Sequence, residues 1–259
     1  MAKRTPALDF DSYYRLQYGE RWDALRTALG QTREPIAFTD GLVQPYYLDA
    51  ASVLAAQSLG VQRGDRVLDM CAAPGGKTLV LASALAGEGT LVANDRSANR
   101  RARLRTVLNE HLSEEFRAPI TITSHDSTKW SLYEQDAYDK ILLDAPCSSE
   151  RHVLSDTKAL AQWSPSRPKR LAITQFAMLA AALDAAVVGG LILYVTCSIN
   201  SGENEAVIEK LAKRRSGRFV TEPLTISQAE DRSYGAIILP DRAEGMGPLY
   251  LCLLRRTSS

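Results

Sequence analysis

The sequence predicts an α/β fold built on a mostly parallel sheet of seven strands. Between residues 66 and 195, short β-branched runs alternate with longer segments that carry apolar residues every three or four positions. This alternation is typical of βαβ units, in which helices connect parallel strands. Near the C-terminus two further apolar runs follow each other without a helix between them, which predicts an antiparallel hairpin with the C-terminal strand at the sheet edge.

Five of the apolar runs account for the parallel strands and two account for the hairpin. The predicted strands are residues 67–69, 90–93, 120–123, 140–143 and 191–195, followed by 237–239 and 249–253. The helical pattern between them covers residues 77–85, 98–112, 170–188 and 203–213. Crossovers through such helices are expected to be right-handed.

The first 60 residues have a different pattern. Tyr13, Tyr14, Tyr18 and Trp22 precede a leucine- and alanine-rich stretch, and residues 49–59 show a further helical pattern. We therefore predict a helical N-terminal arm, residues 1–60, packed on an α/β domain of residues 61–259. The sequence contains no internal repeat and no low-complexity linker that would mark a second independent domain.

The composition excludes several classes of protein. Of the 259 residues, 45% are hydrophobic and 24% are charged, and the net charge is +1. No apolar run approaches the roughly 18 residues that a membrane span requires. A net charge so close to zero excludes a globally basic nucleic-acid coat, although it allows local basic patches. The four cysteines and three histidines lack zinc-site spacing, so we predict no metal.

The N-terminal residues bear on the cellular compartment. Residues 1–6 lack the apolar core of a signal peptide, and Asp9 and Asp11 argue against a transit peptide. Because the cysteines are also widely separated, we predict a reducing compartment, the bacterial cytoplasm. A mitochondrial protein whose transit peptide has been removed would show the same pattern, so that alternative stays open.

The most informative segment is the decapeptide Asp-Met-Cys-Ala-Ala-Pro-Gly-Gly-Lys-Thr at residues 69–78. It leaves the first strand of the α/β domain and enters a helix, and Gly75 and Gly76 allow the backbone to approach a ligand closely. Its Gly-Lys-Thr ending resembles a phosphate-binding P-loop. However, Cys71 stands where that motif requires its first glycine.

Two more carboxylates follow the next strands. Asp95 comes about 20 residues after the glycines, where doubly wound folds hydrogen-bond a ribose, and Asp126 could accept a hydrogen bond from an exocyclic amine. Taken singly, Asp95 could be a helix cap and Asp126 a turn residue. Ligands of open α/β sheets bind at the carboxyl ends of strands. Carboxylates at the ends of successive strands therefore favour a cofactor that contains a nucleoside.

Two cysteines emerge at the same predicted edge of the sheet. The fourth strand ends in Asp144-Ala-Pro-Cys147, and the fifth ends in Thr196-Cys197-Ser198. A cysteine at a strand end is often only a small buried hydrophobe. Beside a nucleoside site, however, a thiolate can attack an electron-poor ring carbon while Asp144 polarises that ring.

With these three motifs in the same order, the chain resembles the Nol/Nop/Sun family of S-adenosylmethionine-dependent RNA cytosine-5 methyltransferases. The resemblance covers about residues 46–256 and is strongest to the short mitochondrial rRNA methyltransferase subgroup. That subgroup similarity lies in residues 46–52, 149–152 and 247–250. The resemblance implies a Rossmann-like class I methyltransferase fold. It also implies methylation of cytosine C5, with ribosomal RNA as the expected substrate and transfer RNA as the alternative.

The resemblance also implies roles for individual residues. Cys197 is expected to attack C6 of cytosine, Asp144 to hydrogen-bond N3, and Cys147 to assist release of the covalent RNA adduct. S-adenosylmethionine is expected to contact Cys71, Ala72, Ala73, Pro74, Gly75, Gly76, Lys77, Asp95, Arg100, Asp126 and Asp144. The family's usual small-residue stretch after the Pro-Cys motif is replaced here by residues 148–152, which puts the local RNA contacts in doubt.

A basic stretch beside Cys147 is the predicted RNA contact, although many charge runs are merely solvated surfaces. It combines cations with an aromatic ring that could stack on a base, and comprises Arg151, His152, Trp163, Lys169 and Arg170. We expect a monomer that binds RNA, with a protein partner as an additional source of RNA affinity. Two other interpretations stay open: a methyltransferase for small molecules or proteins, and a ribosome-assembly factor with secondary methylation activity.

Overall fold

A mixed sheet runs through the centre of the protein in the computed structural model, which describes residues 8–31 and 33–258. In chain order the strands are β1 (Ile36–Phe38) and β2 (Tyr46–Leu48), which form a separate hairpin, then β3 (Arg66–Asp69), β4 (Thr90–Asn94), β5 (Ile120–Thr123), β6 (Tyr138–Asp144), β7 (Ala186–Thr196), β8 (Phe219–Glu222), β9 (Ala229–Asp231), β10 (Ala236–Ile238) and β11 (Leu249–Arg256). The central sheet has the order β5-β4-β3-β6-β7-β11-β10-β9, and β8 also pairs with β11.

The predicted alternation of strands and helices is confirmed. Strands β3 to β7 pair in parallel, and β11 joins β7 in antiparallel orientation. The C-terminal hairpin is also present, because β10 pairs with β11. Within the described residues the sheet has nine strands instead of the seven expected. The additional strands β8 and β9 are short and only partly buried, so they carry little of the periodicity that reveals a strand.

Ten α-helices surround the sheet in the described part of the chain. They are α1 (Phe10–Tyr18), α2 (Trp22–Gly30), α3 (Ala50–Ser58), α4 (Gly76–Leu85), α5 (Ala98–His111), α6 (Glu114–Arg117), α7 (Glu150–Ser155), α8 (Thr157–Ala161), α9 (Ser166–Ala185) and α10 (Glu205–Arg214). Two short 3₁₀ helices cover Gly19–Arg21 and Ser127–Leu132.

Two of the predicted helices have other boundaries in the structure. Helix α9 begins at Ser166 instead of residue 170, because Pro168 lies in its first turn, where the missing amide proton costs no hydrogen bond. It ends at Ala185, because the next residues join β7 and Ala186 pairs with Tyr138. Helix α10 begins after Glu203, whose side chain is buried below the sheet edge.

The two faces of the sheet carry separate apolar layers. On one face Leu68 and Ile192 pack with α9 and with the aromatic residues of α1 and α2. On the other face Val67 and Leu193 pack with α3, α4 and α5. The side-chain alternation of each strand therefore serves both layers, as a sheet covered on both sides requires.

The N-terminal segment contributes to both layers. Trp22 is completely buried, and its ring stacks on Tyr14 at a centroid separation of 5.4 Å. The β1–β2 hairpin was not predicted, and it packs against the opposite layer through Tyr46 and Leu48. The segment of residues 1–6, on which the compartment prediction rests, lies outside the described residues. No helix within 8–31 or 33–258 is both long and apolar enough to cross a membrane.

We expect Trp22→Ala to lower the free energy of unfolding by about 3–5 kcal/mol, because the substitution leaves a large cavity between α2 and the sheet. Leu16→Ala on the same arm is the control. Leu16 is 75% exposed, so its substitution should change stability by no more than about 0.5 kcal/mol. Denaturant unfolding measures both values, and equal small effects would contradict an arm integrated into the core.

Candidate active site

The glycine loop, residues 70–77, connects β3 to the first turn of α4. Gly75 has a φ of +123°, and a Cβ there would lie 3.0 Å from Val107 and 3.1 Å from Leu104. A Cβ on Gly76 would lie 3.0 Å from the Tyr46 ring. The two glycines therefore allow the loop to pass between α5 on one side and β2 on the other.

Buried hydrogen bonds hold this loop to the sheet. The hydroxyl of Thr78 donates to Asp69 Oδ2 at 2.7 Å, and the Met70 amide donates to the Leu142 carbonyl at 2.9 Å. Asp69 is only 1% exposed, and burial raises the pKa of its carboxyl to about 7. Asp69 therefore acts as an internal anchor for the loop.

Asn94 joins the loops that follow three strands, a role that the sequence analysis missed. This completely buried residue directs its side-chain amide nitrogen at the Met70 and His125 carbonyls and at Ser127 Oγ, at 3.1–3.2 Å. Its side-chain oxygen accepts from the His125 amide and the Thr123 hydroxyl, at 2.8 and 2.9 Å. The only signal in the sequence was an amide residue at the end of an otherwise apolar strand.

Asp95 has one carboxylate oxygen that accepts no hydrogen bond from the described residues. Its Oδ1 accepts from the Ser97 amide at 2.9 Å, whereas Oδ2 is buried and has no hydrogen-bond partner in the described structure. Arg100 Nη1 lies 3.2 Å from Oδ2 as an ion-pair contact without hydrogen-bond geometry, and Arg100 also donates to the Ala73 carbonyl. Arg100 therefore connects Asp95 to the glycine loop.

Asp126 lies at the end of β5 and caps the 3₁₀ helix that follows. Its Oδ1 accepts from the Thr128 amide at 3.1 Å and from the Thr128 hydroxyl at 2.7 Å, and Oδ2 lies 3.7 Å from Arg96. The hydrogen bonds from Thr128 lower the pKa of the carboxyl, so Asp126 is ionised at neutral pH. The turn role of Asp126 is thus observed, and a contact with a ligand amine stays a prediction.

A cavity of about 130 Å³ opens beside the glycine loop. Seven of the predicted cofactor residues line it together with residues of β2, α3 and β3: Tyr46, Leu48, Ser52, Asp69, Cys71, Ala72, Ala73, Pro74, Gly76, Lys77 and Asp144. The parallel sheet brings these residues together because the loops after β3 and β6 leave the same edge.

An ion pair connects this cavity to the cysteines. Lys77 Nζ lies 2.8 Å from Asp144 Oδ2 and 3.1 Å from Ser52 Oγ. Burial alone would lower the pKa of the Lys77 ammonium, but the attraction of the Asp144 carboxylate outweighs it, so the pKa is raised. Lys77 is therefore a fixed positive charge between the glycine loop and Asp144.

The two predicted catalytic cysteines meet at the sheet edge. Cys147 Sγ lies 2.9 Å from Cys197 Sγ, and both thiols are free. The hydrogen bond from Cys147 lowers the pKa of the Cys197 thiol and raises that of Cys147, while burial opposes ionisation of either thiol. Cys197 is therefore the thiol of the pair that ionises more readily.

Ser149 adds a second donor to Cys197. Its hydroxyl lies 3.0 Å from Cys197 Sγ but 3.6 Å from Cys147 Sγ, so it favours the thiolate on Cys197. Ser149 has a φ of +53°, an uncommon conformation for a residue with a side chain. The sequence analysis missed this residue, because the contact depends on a loop conformation that no periodicity predicts.

A second cleft, of about 520 Å³, opens onto the Cys197 thiol. Its lining includes Asp49, Ser52, Lys77, Asp144, Ser149, Arg151, His152, Ser155, Cys197, Gly247, Pro248 and Leu249. Lys77, Asp144 and Ser52 also line the glycine-loop cavity, so the two spaces adjoin. A planar ring in this cleft would contact the thiol and the carboxylate from one side of the sheet edge.

The structure separates the predicted RNA-contact residues into two groups. Arg151 donates to the carbonyls of Gln31 and Gly245 at 2.6 and 3.0 Å, which ties α7 to neighbouring loops. Trp163 packs against the rings of Phe10 and Tyr13, each at a centroid separation of 5.2 Å. Trp163 therefore packs on the arm, whereas Arg151 also lines the second cleft, and an RNA contact by either residue stays a prediction.

The remaining three residues of that stretch have exposed side chains. His152 lies on α7 at the mouth of the second cleft, and Lys169 and Arg170 lie in the first turns of α9. The Arg170 guanidinium donates to the nearby Ser166 hydroxyl at 3.0 Å. In residues 8–31 and 33–258, no group of three or more His, Cys, Asp or Glu side chains could hold a metal ion.

A family profile described as "16S rRNA methyltransferase RsmB/F" matches residues 56–255. The chain belongs to the RsmB/F methyltransferase family. The Nol/Nop/Sun resemblance deduced from the three motifs is thereby confirmed.

Individual relatives agree with this family. The chain is 37% identical over 233 residues to the 5-cytosine rRNA methyltransferase NSUN4 of Bos taurus, covering 83% of this chain and 60% of that protein. It is 36% identical to the ribosomal RNA small subunit methyltransferase F of Erwinia tasmaniensis, covering 79% of this chain and 41% of that protein. The mitochondrial tRNA (cytosine(34)-C(5))-methyltransferase of Danio rerio is 33% identical, with coverages of 84% and 62%. The chain thus spans less than two thirds of these relatives.

Solved structures confirm the Rossmann-like methyltransferase fold. The crystal structure of NSun6 from Pyrococcus horikoshii with SFG has a TM-score of 0.70 and 25% identity, covering 86% of this chain and 55% of that chain. A methyltransferase homolog from the same organism has a TM-score of 0.75 at 21% identity, with 95% of each chain covered. At 21% sequence identity, the second match supports only the assignment of the fold.

Proposed function

We propose that the chain is an RNA cytosine-C5 methyltransferase that uses S-adenosylmethionine. One observation carries this proposal: the thiols of Cys147 and Cys197, from two different strand ends, lie 2.9 Å apart beside Asp144 and next to the glycine loop. Such a pair supplies one nucleophile and one proton-bearing group at the same ring. A methyltransferase for small molecules would need neither thiol in this arrangement.

The residues at the sheet edge fit S-adenosylmethionine. The unpaired Oδ2 of buried Asp95 supplies an acceptor for a ribose hydroxyl, and Gly75 and Gly76 leave the backbone open to a ligand. The proposed set is completed by Cys71, Ala72, Ala73, Pro74, Lys77, Arg100, Asp126 and Asp144. The NSun6 structure with SFG, an analogue of S-adenosylmethionine, supports this choice. When bound, S-adenosylmethionine supplies the methyl group.

In the proposed reaction the Cys197 thiolate attacks C6 of cytosine, so an S–C6 bond forms and C5 becomes electron-rich. As the S–C6 bond forms, N3 takes up a proton from water, and the Asp144 carboxylate accepts a hydrogen bond from this N3–H group. The Lys77 ammonium, 2.8 Å from Asp144, balances the negative charge in the pocket. N3 releases its proton again when C5 accepts the methyl group. After C5 has accepted the methyl group, the C5 proton passes to water, and Cys147 assists this transfer. The electrons of the C5–H bond restore the C5=C6 double bond, and the S–C6 bond breaks to regenerate the Cys197 thiolate.

Ribosomal RNA is the proposed substrate, because NSUN4 and the methyltransferase F relative both carry rRNA in their names and reach 36–37% identity. Transfer RNA is the second candidate, since the Danio rerio relative at 33% identity is named for tRNA. The target cytosine must lie outside a helical stack to reach the cleft. Lys169, Arg170 and His152 are the proposed contacts for the flanking RNA.

Asp95→Ala should weaken S-adenosylmethionine binding by about 1.5–3 kcal/mol, because it removes a ribose hydrogen bond to a charged acceptor. Asp231→Ala, an exposed carboxylate on β9 at the opposite edge of the sheet, is the matched control and should leave the affinity unchanged. Calorimetry measures the S-adenosylmethionine affinity of both variants. Unchanged affinity in folded Asp95→Ala would contradict the ribose assignment, and tighter binding of a nucleoside triphosphate would favour the P-loop interpretation.

The two cysteines should behave differently with RNA. Cys147→Ala is expected to form the covalent adduct and to release it slowly, whereas Cys197→Ala should form none, because no nucleophile remains. A denaturing gel with total RNA and S-adenosylmethionine measures the adduct. The double variant Cys147→Ala/Cys197→Ala is the control, and sequencing the RNA attached to Cys147→Ala distinguishes rRNA from tRNA.

Two results would overturn the cysteine assignment. Trapping by Cys197→Ala would place the nucleophile in the Pro-Cys motif and reopen DNA as a substrate. Continued methylation of cytosine by Cys197→Ala would exclude the covalent mechanism altogether. Normal turnover by Cys147→Ala would restrict Cys147 to a structural role.

The double charge reversal Lys169→Glu/Arg170→Glu should weaken RNA binding and flatten its salt dependence. Each lost phosphate contact removes roughly one unit from the slope of log affinity against log salt concentration. Lys213→Glu/Arg214→Glu, with the same charge change on the exposed end of α10, is the matched control. Identical effects of the two pairs would contradict a specific RNA contact at α9, while S-adenosylmethionine binding should survive in both.

A further inference from the structure

Two buried carboxyl groups meet beneath the cysteines. Glu150 begins α7 and Glu203 precedes α10, and both side chains are completely buried. The Ser198 hydroxyl lies 3.0 Å from Glu150 Oε1 and 3.1 Å from Glu203 Oε1. One hydroxyl thus touches both carboxyls, although the two glutamates are 53 residues apart in the sequence.

The hydrogen-bond inventory at Ser198 requires an additional proton. The hydroxyl carries one hydrogen and can donate to only one carboxyl. Its oxygen already accepts from the Asn200 amide at 3.0 Å and has one lone pair left. The second carboxyl can therefore bond to Ser198 only by donating a proton of its own.

The surroundings provide no positive charge that could replace this proton. In residues 8–31 and 33–258, neither Glu150 nor Glu203 forms an ion pair with a lysine, arginine or histidine. The main charge acting on the Glu150 carboxyl is that of Glu203, and Arg167 of α9 reaches only the Ser148 carbonyl, at 3.5 Å. Two like charges buried here would repel each other without compensation.

We propose that Glu150 and Glu203 share one proton through Ser198 and act as positioning residues for the two catalytic cysteines. Glu203 Oε2 accepts from the amide of Ser148, which directly follows Cys147, at 3.0 Å. Glu150 Oε2 accepts from the Ile199 amide at 3.1 Å, two residues after Cys197. The carboxyl pair therefore joins the two cysteine loops. The catalytic part of this inference rests on the proposed function.

The N-terminal arm completes this connection. The Tyr14 hydroxyl donates to Glu150 Oε1, and the Asn200 side chain donates to the Tyr13 hydroxyl at 3.1 Å. Tyr18 donates to the Ile199 carbonyl at 2.6 Å. Helix α1 thus closes the polar network that the carboxyl pair forms under the cysteines.

The shared proton makes the arrangement sensitive to pH. Burial raises the pKa of both carboxyls, and that of Glu150 reaches about 7. A carboxyl whose pKa is higher in the folded state than in the unfolded state stabilises the protein at low pH. That contribution is lost as the pH rises from the unfolded value, about 4.5, through the folded value. Above neutral pH the pair becomes doubly charged, and the two buried carboxylates then repel each other between the cysteine loops.

The direct test is a pH titration of the full chain carrying ¹³C-labelled glutamate, followed by NMR of the side-chain carboxyl carbons. The wild type should show a glutamate signal that titrates near neutral pH, about two pH units above ordinary glutamates. Glu150→Gln and Glu203→Gln should each abolish that signal, because an amide donates a hydrogen bond without titrating. Wild-type glutamates that all titrate near their ordinary values would overturn the shared proton, and this result does not depend on enzymatic activity.

The positioning role is tested by the pH profile of methyl transfer to RNA. The wild-type rate should decline above neutral pH, and both glutamine variants should lose that decline. The ratio of the variant rate to the wild-type rate should therefore be at least about tenfold higher at pH 9 than at pH 6.5. Exposed Glu110→Gln is the matched control and should follow the wild type. Variants that shift the rate equally at all pH values would have only a structural role. Absence of methylation by the wild type would contradict the proposed function and leave the NMR result standing.

Discussion

The parallel register of β3, β6 and β7 is the constraint on which the site depends. Asp69 pairs with Leu142 on β6, and Leu142 pairs with Leu193 on β7, so β6 and β7 continue two and three residues past the end of β3 at the same edge of the sheet. Cys147 lies three residues past the end of β6, and Cys197 is the first residue past the end of β7. A slip of one residue would turn alternate side chains to the other face and separate the two thiols.

This edge of the sheet is unusually polar for a buried region. Asn94 satisfies the backbone groups of the glycine loop, and Glu150 and Glu203 satisfy those of the cysteine loops. Buried polar groups are stable only when they are paired, so each network restricts its loops to one arrangement. The loops are irregular in backbone conformation and nevertheless well anchored, which a catalytic constellation requires.

The N-terminal arm belongs to the architecture of this edge. Its aromatic residues pack against α9 and Trp163, and its tyrosine hydroxyls reach the loop after Cys197. The arm therefore connects the hydrophobic layer on one face of the sheet to the polar network under the cysteines. Because the same rings that fill the core also complete hydrogen bonds, packing and loop geometry are coupled.

By itself the sequence determined the order of the βαβ units, the C-terminal hairpin and the family. These features follow from local signals, namely the spacing of apolar residues and three short motifs that end successive strands. Because parallel strands share one edge, the meeting of the glycine loop, Asp144, Cys147 and Cys197 could also be predicted from their positions after those strands.

Only the tertiary structure determined which side chains pack against the loops at that edge of the sheet. Nothing in the sequence indicated that Trp163 packs on Phe10 of the arm or that Arg151 donates to the Gly245 carbonyl. Glu203 looks like the start of a surface helix, yet its carboxyl is buried. Ser149 contacts a thiol 48 residues away. Contacts between such distant residues depend on how the elements pack in three dimensions, and local periodicity carries no information about them.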